Sequence, residues 1–388
     1  MIKKVDIFLI VSYLLTRLIN ITQLPIFNDE AFFLYAGRQI LNNPVKNLFF
    51  NFSDGKEPLF FWVYSLANLF PDQLLALRLL SVFFGLLTFI YFRKITKNIY
   101  ASLLFLASPF LLFYQRIGMQ ETMLTFFLVA ATYYALKNKY VTAGTFSGLA
   151  LITKTTTLVY LLPLFIVKFN PRTVLVTLSI YLPFSFGFQN VVGHNSAYAG
   201  FITPQQMIIN IKSAARWLWE YQGPLGLLGI LTPPVILESL IAKIFFPRYF
   251  LFIIPVLLII AAKFINRYVL LLLLIPNIIL SFQIITDVKS ANLPYIEKWQ
   301  YLEAWPAGYG IKETASYLKL QNIKSVTTED IMITKYGLLY YYPELNTSNT
   351  GSDIYVYKKS KELADELGLI KLYNTYDVSV YRSYSGSQ

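Results

Sequence analysis

The sequence predicts an α-helical polytopic membrane protein carrying a small soluble α/β domain at its C-terminal end. Three observations carry this. Hydrophobic residues make up 56% of 388 positions and charged residues only 14%, whereas an ordinary soluble domain carries about 25% charged residues. So much apolar surface needs the bilayer as its solvent. Apolar runs alternate with short basic clusters along most of the chain. Charge is also partitioned: residues 1–286 hold 22 Lys/Arg against nine Asp/Glu, and residues 287–388 hold 11 against 12. The two domains are therefore expected at 1–286 and 287–388.

The basic surplus belongs to the apolar part, where positive-inside loops and contacts to anionic membrane lipid account for it. Scattered among spans rather than gathered on one stripe, these cations do not read as a nucleic-acid surface. The chain has no cysteine and one histidine, His194. That excludes disulfides, thiolate chemistry, a His-rich metal site and any mechanism needing two imidazoles.

Residues 5–24 follow Met-Ile-Lys-Lys, carry Arg17 and end in Leu-Pro without a small-residue cleavage site. They read as an uncleaved first span with a cytoplasmic N-terminus. Residues 28–55 then form a polar extracytoplasmic segment within a first loop at 25–73. The apolar run 58–70 is short of the ~20 residues a crossing needs, so an interfacial or re-entrant helix is expected. Runs at 74–91, 99–114, 121–136, 141–153, 158–167 and 174–188 follow. Arg93/Lys94/Lys97, Lys137/Lys139 and Lys168/Arg172 mark alternate, cytoplasmic ends. The stretch 217–246 is one long span or a hairpin broken at Thr232-Pro233-Pro234. Lys263 and Arg267 favour the hairpin, which gives about eleven crossings and places the tail outside. In the tail, 311–320 and 361–367 have helical spacing, and 325–328, 353–357 and 377–381 read as strands.

Charge at a membrane interface is costly and asks for a reason. Asp29-Glu30 follows the first span and offers paired carboxylates to accept a proton or orient a substrate; a helix N-cap at Asn28 or Asp29 is the plainer alternative. Lys56-Glu57-Pro58 opens the interfacial helix, where a Lys beside a helix N-terminus suits phosphate and Pro at the first turn is also ordinary. Arg78 heads a span and could simply snorkel. Arg116 and Glu121 could pair with each other. Lys154 and Arg248 complete the set. Together these put several cations and carboxylates on one side of the membrane, as a transfer with a phosphate leaving group would require.

The order of these motifs resembles the C-type (GT-C) glycosyltransferases, in the branch of protein O-mannosyltransferases and lipid A aminoarabinose transferases. The matching residues are Asn28-Asp29-Glu30, then Lys56 to Trp62, and Arg78-Leu-Leu-Ser-Val-Phe-Phe-Gly. They continue through Arg116 to Leu124, Gly148-Leu-Ala-Leu-Ile-Thr-Lys154 and Pro247-Arg-Tyr-Phe, with Trp305-Pro-Ala-Gly-Tyr-Gly opening the tail. Departures are Ala31-Phe32-Phe33 where an Arg is frequent, Glu57-Pro58 for Pro-Pro, and Glu121 for Asp. The resemblance implies a GT-C-like transmembrane domain performing an inverting transfer on the extracytoplasmic face. Its donor would be a polyprenyl-phosphate-linked sugar and its acceptor a protein, lipid or glycan. It implies Asp29 as base or orienting group, supported by Glu30, with Glu121 as second carboxylate. Lys56 and Arg248 would hold the carrier phosphate, with Arg78, Arg116 and Lys154 as further candidates. The relatives are thought to work without a metal, so no metal and no other cofactor is expected. A transporter of lipid-linked sugars, which should show paired repeats, and a non-catalytic assembly protein are the alternatives.

Overall fold

The computed structural model describes residues 4–49, 57–185, 198–348, 351–359, 362, 364 and 367–383. Lys56 and His194, and most of the helix expected at 361–367, lie outside them.

The helical part is built on the Lys4–Leu18 and Gln73–Thr96 helices. Asp72 caps the second, its carboxylate accepting from Leu75 N at 2.9 Å. Arg93 and Lys94 fill its last turn, where cations suit the C-terminal end of the helix dipole. The two helices approach closely at Gly85: a Cβ there would lie 2.2 Å from Tyr13 Oη. Arg93 meets Asp6 at 2.8 Å and Asn98 reaches the Ala262 carbonyl at 3.3 Å, gathering one basic end of the bundle. Arg17 is fully buried between helices, donating to Gln115 and to the Leu106 and Phe105 carbonyls. Its charge is met by acceptors inside the protein, so it needs no exit to headgroups.

Proline segments the helices. Ser108 separates Ile99–Ala107 from Pro109–Tyr114; its hydroxyl accepts from Leu111 N, and Pro109 brings no N–H to the junction. Among the described residues, Gln73–Thr96 and Arg267–Thr286 are long and apolar enough to cross a membrane singly, and the bent pair Pro224–Ile230 and Pro233–Ile241 makes a third. The expected eleven crossings would depend on shorter helices such as Gln120–Leu136 and Tyr140–Leu151. Pro58–Ser65 and its 3-10 extension Leu66–Leu69 form the short apolar element expected there.

The stretch 217–246 does reverse, but earlier than expected. Helix Pro204–Gln222 ends at Gly223, whose φ of +59° only glycine adopts freely, and Pro224 starts the return. The return helix presses so close that a Cβ on Gly226 would lie 1.9 Å from the Leu218 carbonyl oxygen. The Thr232-Pro233 break is instead a 66° bend, and an antiparallel bridge between Ala199 and Ala242 closes the loop.

The tail forms a five-stranded sheet of order β2-β1-β3-β5-β4, with β1 at Ser325–Thr328, β2 at Asn346–Ser348, β3 at Ile354–Tyr357, β4 at Ile370–Thr375 and β5 at Val378–Arg382. β1 pairs in parallel with β2 and β3; β5 runs antiparallel to β3 and β4. Helix Ile311–Leu320 and strands β1, β3 and β5 match expectation. β2, β4 and helix Met332–Tyr341 were not foreseen. That helix sits on Asn28–Asn42: Tyr336 meets Phe32 and Tyr35 at 5.5 and 4.5 Å between ring centres, and Ile333 N donates to Asn28 Oδ1 at 2.9 Å.

One knot joins these parts. Arg78 uses all five of its N–H donors on Glu30 and on the Ile21, Leu24 and Pro25 carbonyls, at 2.8–3.0 Å. Glu30 also accepts from Gly118 N at 2.8 Å and Phe27 N at 3.0 Å, and both side chains are buried. Arg78→Leu strands a buried carboxylate and should cost about 3–5 kcal/mol. The check is the melting midpoint of the detergent-purified protein: it should fall by several degrees and recover in part in the Arg78→Leu, Glu30→Gln double variant. An unchanged midpoint would show that the backbone donors suffice.

Candidate active site

A cavity of about 340 Å³ opens at the bundle end opposite Arg93. Its charged walls are Asp29, Glu57, Glu121, Lys154, Glu238 and Arg248; Phe27, Phe33, Phe246, Tyr249, Trp299 and Trp305 supply much of the apolar surface.

Local structure places each group. Phe27, rather than Asn28 or Asp29, is the N-cap of helix Asn28–Asn42, and Glu30 at the third helical position reaches back to its N–H. Asp29 and Glu121 therefore both lie in first turns, where the helix dipole favours a carboxylate. Arg248 sits on the Pro247–Phe250 turn, and Lys154 follows helix Tyr140–Leu151. Arg248 Nη2 is 3.6 Å from Asp29 Oδ2, its Nε is 3.9 Å from Glu121 Oε1, and its Nη1 donates to Gln300 Oε1 at 3.3 Å. Lys154 Nζ lies 2.9 Å from the same Glu121 oxygen and 4.2 Å from the Tyr249 ring centre. The result is a chain of alternating charge, Asp29–Arg248–Glu121–Lys154, with every member at most 15% exposed.

Of the residues singled out in the sequence, these four converge. Glu30, Arg78 and Arg116 do not line the cavity. Arg78 is buried against Glu30 instead of snorkelling to headgroups. Arg116 does not pair with Glu121; it donates to the Ile19, Asn20 and Ile284 carbonyls and so joins the ends of two helices. Glu57 closes one wall by accepting from Thr155 N, and its burial pushes its pKa up despite that bond and nearby Lys154. Sequence reasoning missed Glu238, Gln300 and Trp299. A signal for Glu238 existed, since it is a lone carboxylate in the apolar run Pro233–Ile241. Gln300 and Trp299 carried none. Among the described residues no three acidic or imidazole groups cluster as a metal site.

Short helices broken at prolines, a polar cavity at one bundle end and a small mixed sheet in the tail make up the architecture. Two solved structures share it along nearly the whole chain. ArnT from Cupriavidus metallidurans bound to undecaprenyl phosphate superposes with a TM-score of 0.59 at 12% identity, covering 98% of this chain and 99% of that one. The same protein in its apo state gives 0.57 at 12% identity, with 99% and 98% covered. At that identity the likeness is one of fold. Neither a protein-family model nor a curated protein sequence matches the chain.

Behind Arg248, Glu297 is fully buried and accepts from the Tyr114 hydroxyl. Burial raises its pKa to about 7, partly offset by Tyr114 and Arg248. A carboxyl with a raised folded-state pKa stabilises the fold while protonated. That contribution is complete below the unfolded value near 4.5 and is lost as pH rises through about 7. Glu297→Gln should therefore flatten the melting midpoint against pH across this window and raise it by a few degrees above pH ~7.5. Melting curves at half-unit steps check this; an unaltered slope would assign the pH dependence elsewhere.

Proposed function

We propose that this chain is a membrane glycosyltransferase that transfers a sugar from a polyprenyl-phosphate donor to an extracytoplasmic acceptor with inversion at the anomeric carbon. The observation that carries the reading is the Asp29–Arg248–Glu121–Lys154 chain in an aromatic-walled cavity, on a fold shared with a transferase structure containing undecaprenyl phosphate. In this reading Asp29 takes the proton of the acceptor hydroxyl or amine. The freed nucleophile attacks the anomeric carbon from the face opposite the phosphate. The bond from that carbon to the phosphate oxygen breaks, and the electron pair leaves with the carrier phosphate. Arg248 and Lys154, with Lys56 from the adjoining segment, stabilise the charge that grows there. Glu121 holds Lys154 and steadies Arg248.

Asp29→Asn keeps the size of the side chain and removes its basicity, so transfer should drop by about 10²–10⁴-fold while undecaprenyl phosphate binding changes little. Arg248→Ala should weaken that binding by about tenfold or more. Radiolabelled polyprenyl-phosphate sugars offered to protein in nanodiscs, with added membrane extract, supply both readouts. Full turnover by Asp29→Asn would remove it as base. Movement of intact donor across the membrane without loss of its sugar would favour the transporter reading.

A further inference from the structure

A second pocket, of about 360 Å³, opens on the segment 302–309, whose Trp305, with Trp299 and Gln300 just before it, helps close the main cavity. We propose that this pocket binds a saccharide ring, neutral or amino-substituted, stacked on Tyr376 and hydrogen-bonded by Asp377 and Glu303. That the ring belongs to the acceptor rests on the transferase reading; saccharide binding itself does not.

The case starts from a turn. Tyr376 and Asp377 are the two-residue tip of the β4–β5 hairpin, between the paired residues Thr375 and Val378. Tight hairpin tips of this length favour Gly, Asn or Asp, because the backbone must turn left-handed. Tyr376 has a φ of +48°, a conformation that a bulky side chain adopts rarely and that in folded proteins collects at functional positions. Folding alone favours glycine there, so the ring needs a reason. It is 63% exposed. Its centre lies 5.7 Å from that of Tyr309 with the planes 43° apart, making an aromatic corner rather than a flat stack.

The corner is held rigid. Lys358, whose side chain is fully buried, donates to the Tyr309 carbonyl at 2.9 Å and to Asp377 Oδ1 at 2.6 Å, tying both walls together. Asp377 remains 36% exposed. Among the described residues the Tyr309 hydroxyl has no hydrogen-bond partner although it is shut from solvent, an unmet demand of the kind a bound polar group relieves. Glu303 is exposed at the rim, and Lys289 lies 4.5 Å from the Tyr309 ring centre.

The chemistry matches a sugar. A pyranose has an apolar C–H face that packs on an aromatic ring and a rim of hydroxyls that donate to carboxylates. Glu303 and Asp377 are matched by Lys289 and Lys358, so the pocket carries no net charge and suits a neutral polar ring. The competing explanation for an exposed Tyr near the end of a span is anchoring at the membrane interface, and it predicts no saccharide binding.

The test uses the full chain in a detergent without a sugar headgroup. Maltotriose, chitotriose and trigalacturonate are offered in turn, and saturation transfer is read by NMR. Maltotriose or chitotriose should receive saturation. Tyr376→Gly suits the turn and should leave the melting midpoint unchanged or higher, yet it should weaken binding about tenfold, while Tyr376→Phe retains it. No transfer to any of the three sugars, or transfer unaltered by Tyr376→Gly, would overturn the proposal; so would a Tyr376→Gly effect confined to vesicle partitioning. Undecaprenyl phosphate binding, measured on the same samples, should be untouched by Tyr376→Gly. Its failure in the wild type would count against the transferase reading and leave the saccharide result standing. Presenting the bound sugar on a lipid in nanodiscs separates the sources. About tenfold tighter binding there identifies a glycolipid headgroup, and equal affinity a free glycan; either upholds the site.

Discussion

The buried pair of Glu30 and Arg78 is the constraint on which the site depends. A guanidinium has five donors in a fixed fork, and here all five are used inside the protein, on Glu30 and on three carbonyls that follow the first helix. Glu30 in turn holds Gly118, two residues before the helix that begins with Gln120 and Glu121. Successive residues on a helix point about 100° apart. Once Glu30 is locked inward, Asp29 must face another way, and that way is the cavity. The same lock sets the position of the turn from which Glu121 projects. Two adjacent carboxylates of similar chemistry thus have separate tasks, one as an anchor and one as a wall of the cavity.

Much of the architecture was legible because its signals are local. The apolar excess, the basic punctuation and the switch in charge balance near residue 286 follow from solvation physics that acts on short stretches. The prolines at 58, 109, 204, 224 and 233 all start helices. The reversal at Gly223-Pro224 was visible in principle as a left-handed glycine followed by a helix-starting proline, yet the double proline at 233–234 drew the break to itself. Helix Met332–Tyr341 was hidden for a different reason. Its tyrosines and β-branched start do not favour a helix, and what decides its conformation is packing on Phe32, Tyr35 and Asn28, some 300 residues earlier.

The site shows the same division. Sequence reasoning can say that an ionisable residue at the end of a span needs a partner; it cannot say whether that partner is the protein or a ligand. Arg78, Arg116, Lys154 and Arg248 looked alike on that criterion. Carbonyls and Glu30 take up the first two, whereas the last two flank Glu121 on the cavity wall. Glu238 escaped notice because it lies within an apolar run rather than at the end of one, although a buried carboxylate in such a run is the costlier placement.

The electrostatic balance of the cavity bears on how it would receive a phosphate. A buried cation without a counter-charge costs several kcal/mol, and Asp29 and Glu121 supply that counter-charge to Arg248 and Lys154. A carrier phosphate entering that site meets no surplus of positive charge among the described residues. For it to bind, at least one cation must turn from a carboxylate to the phosphate, or a further cation must join. Lys56 adjoins Glu57, which already lines the wall, and is the nearest such cation in sequence. Of the pairings present, Arg248 with Asp29 is among the loosest, at 3.6 Å against 2.9 Å for Lys154 with Glu121. A turn of Arg248 toward the phosphate would leave Asp29 with its charge less neutralised and its oxygen more basic. On the proposed reading, donor binding and activation of the base would then be two sides of one ionic rearrangement, with the phosphate taking Arg248 and so freeing Asp29 to receive the acceptor's proton.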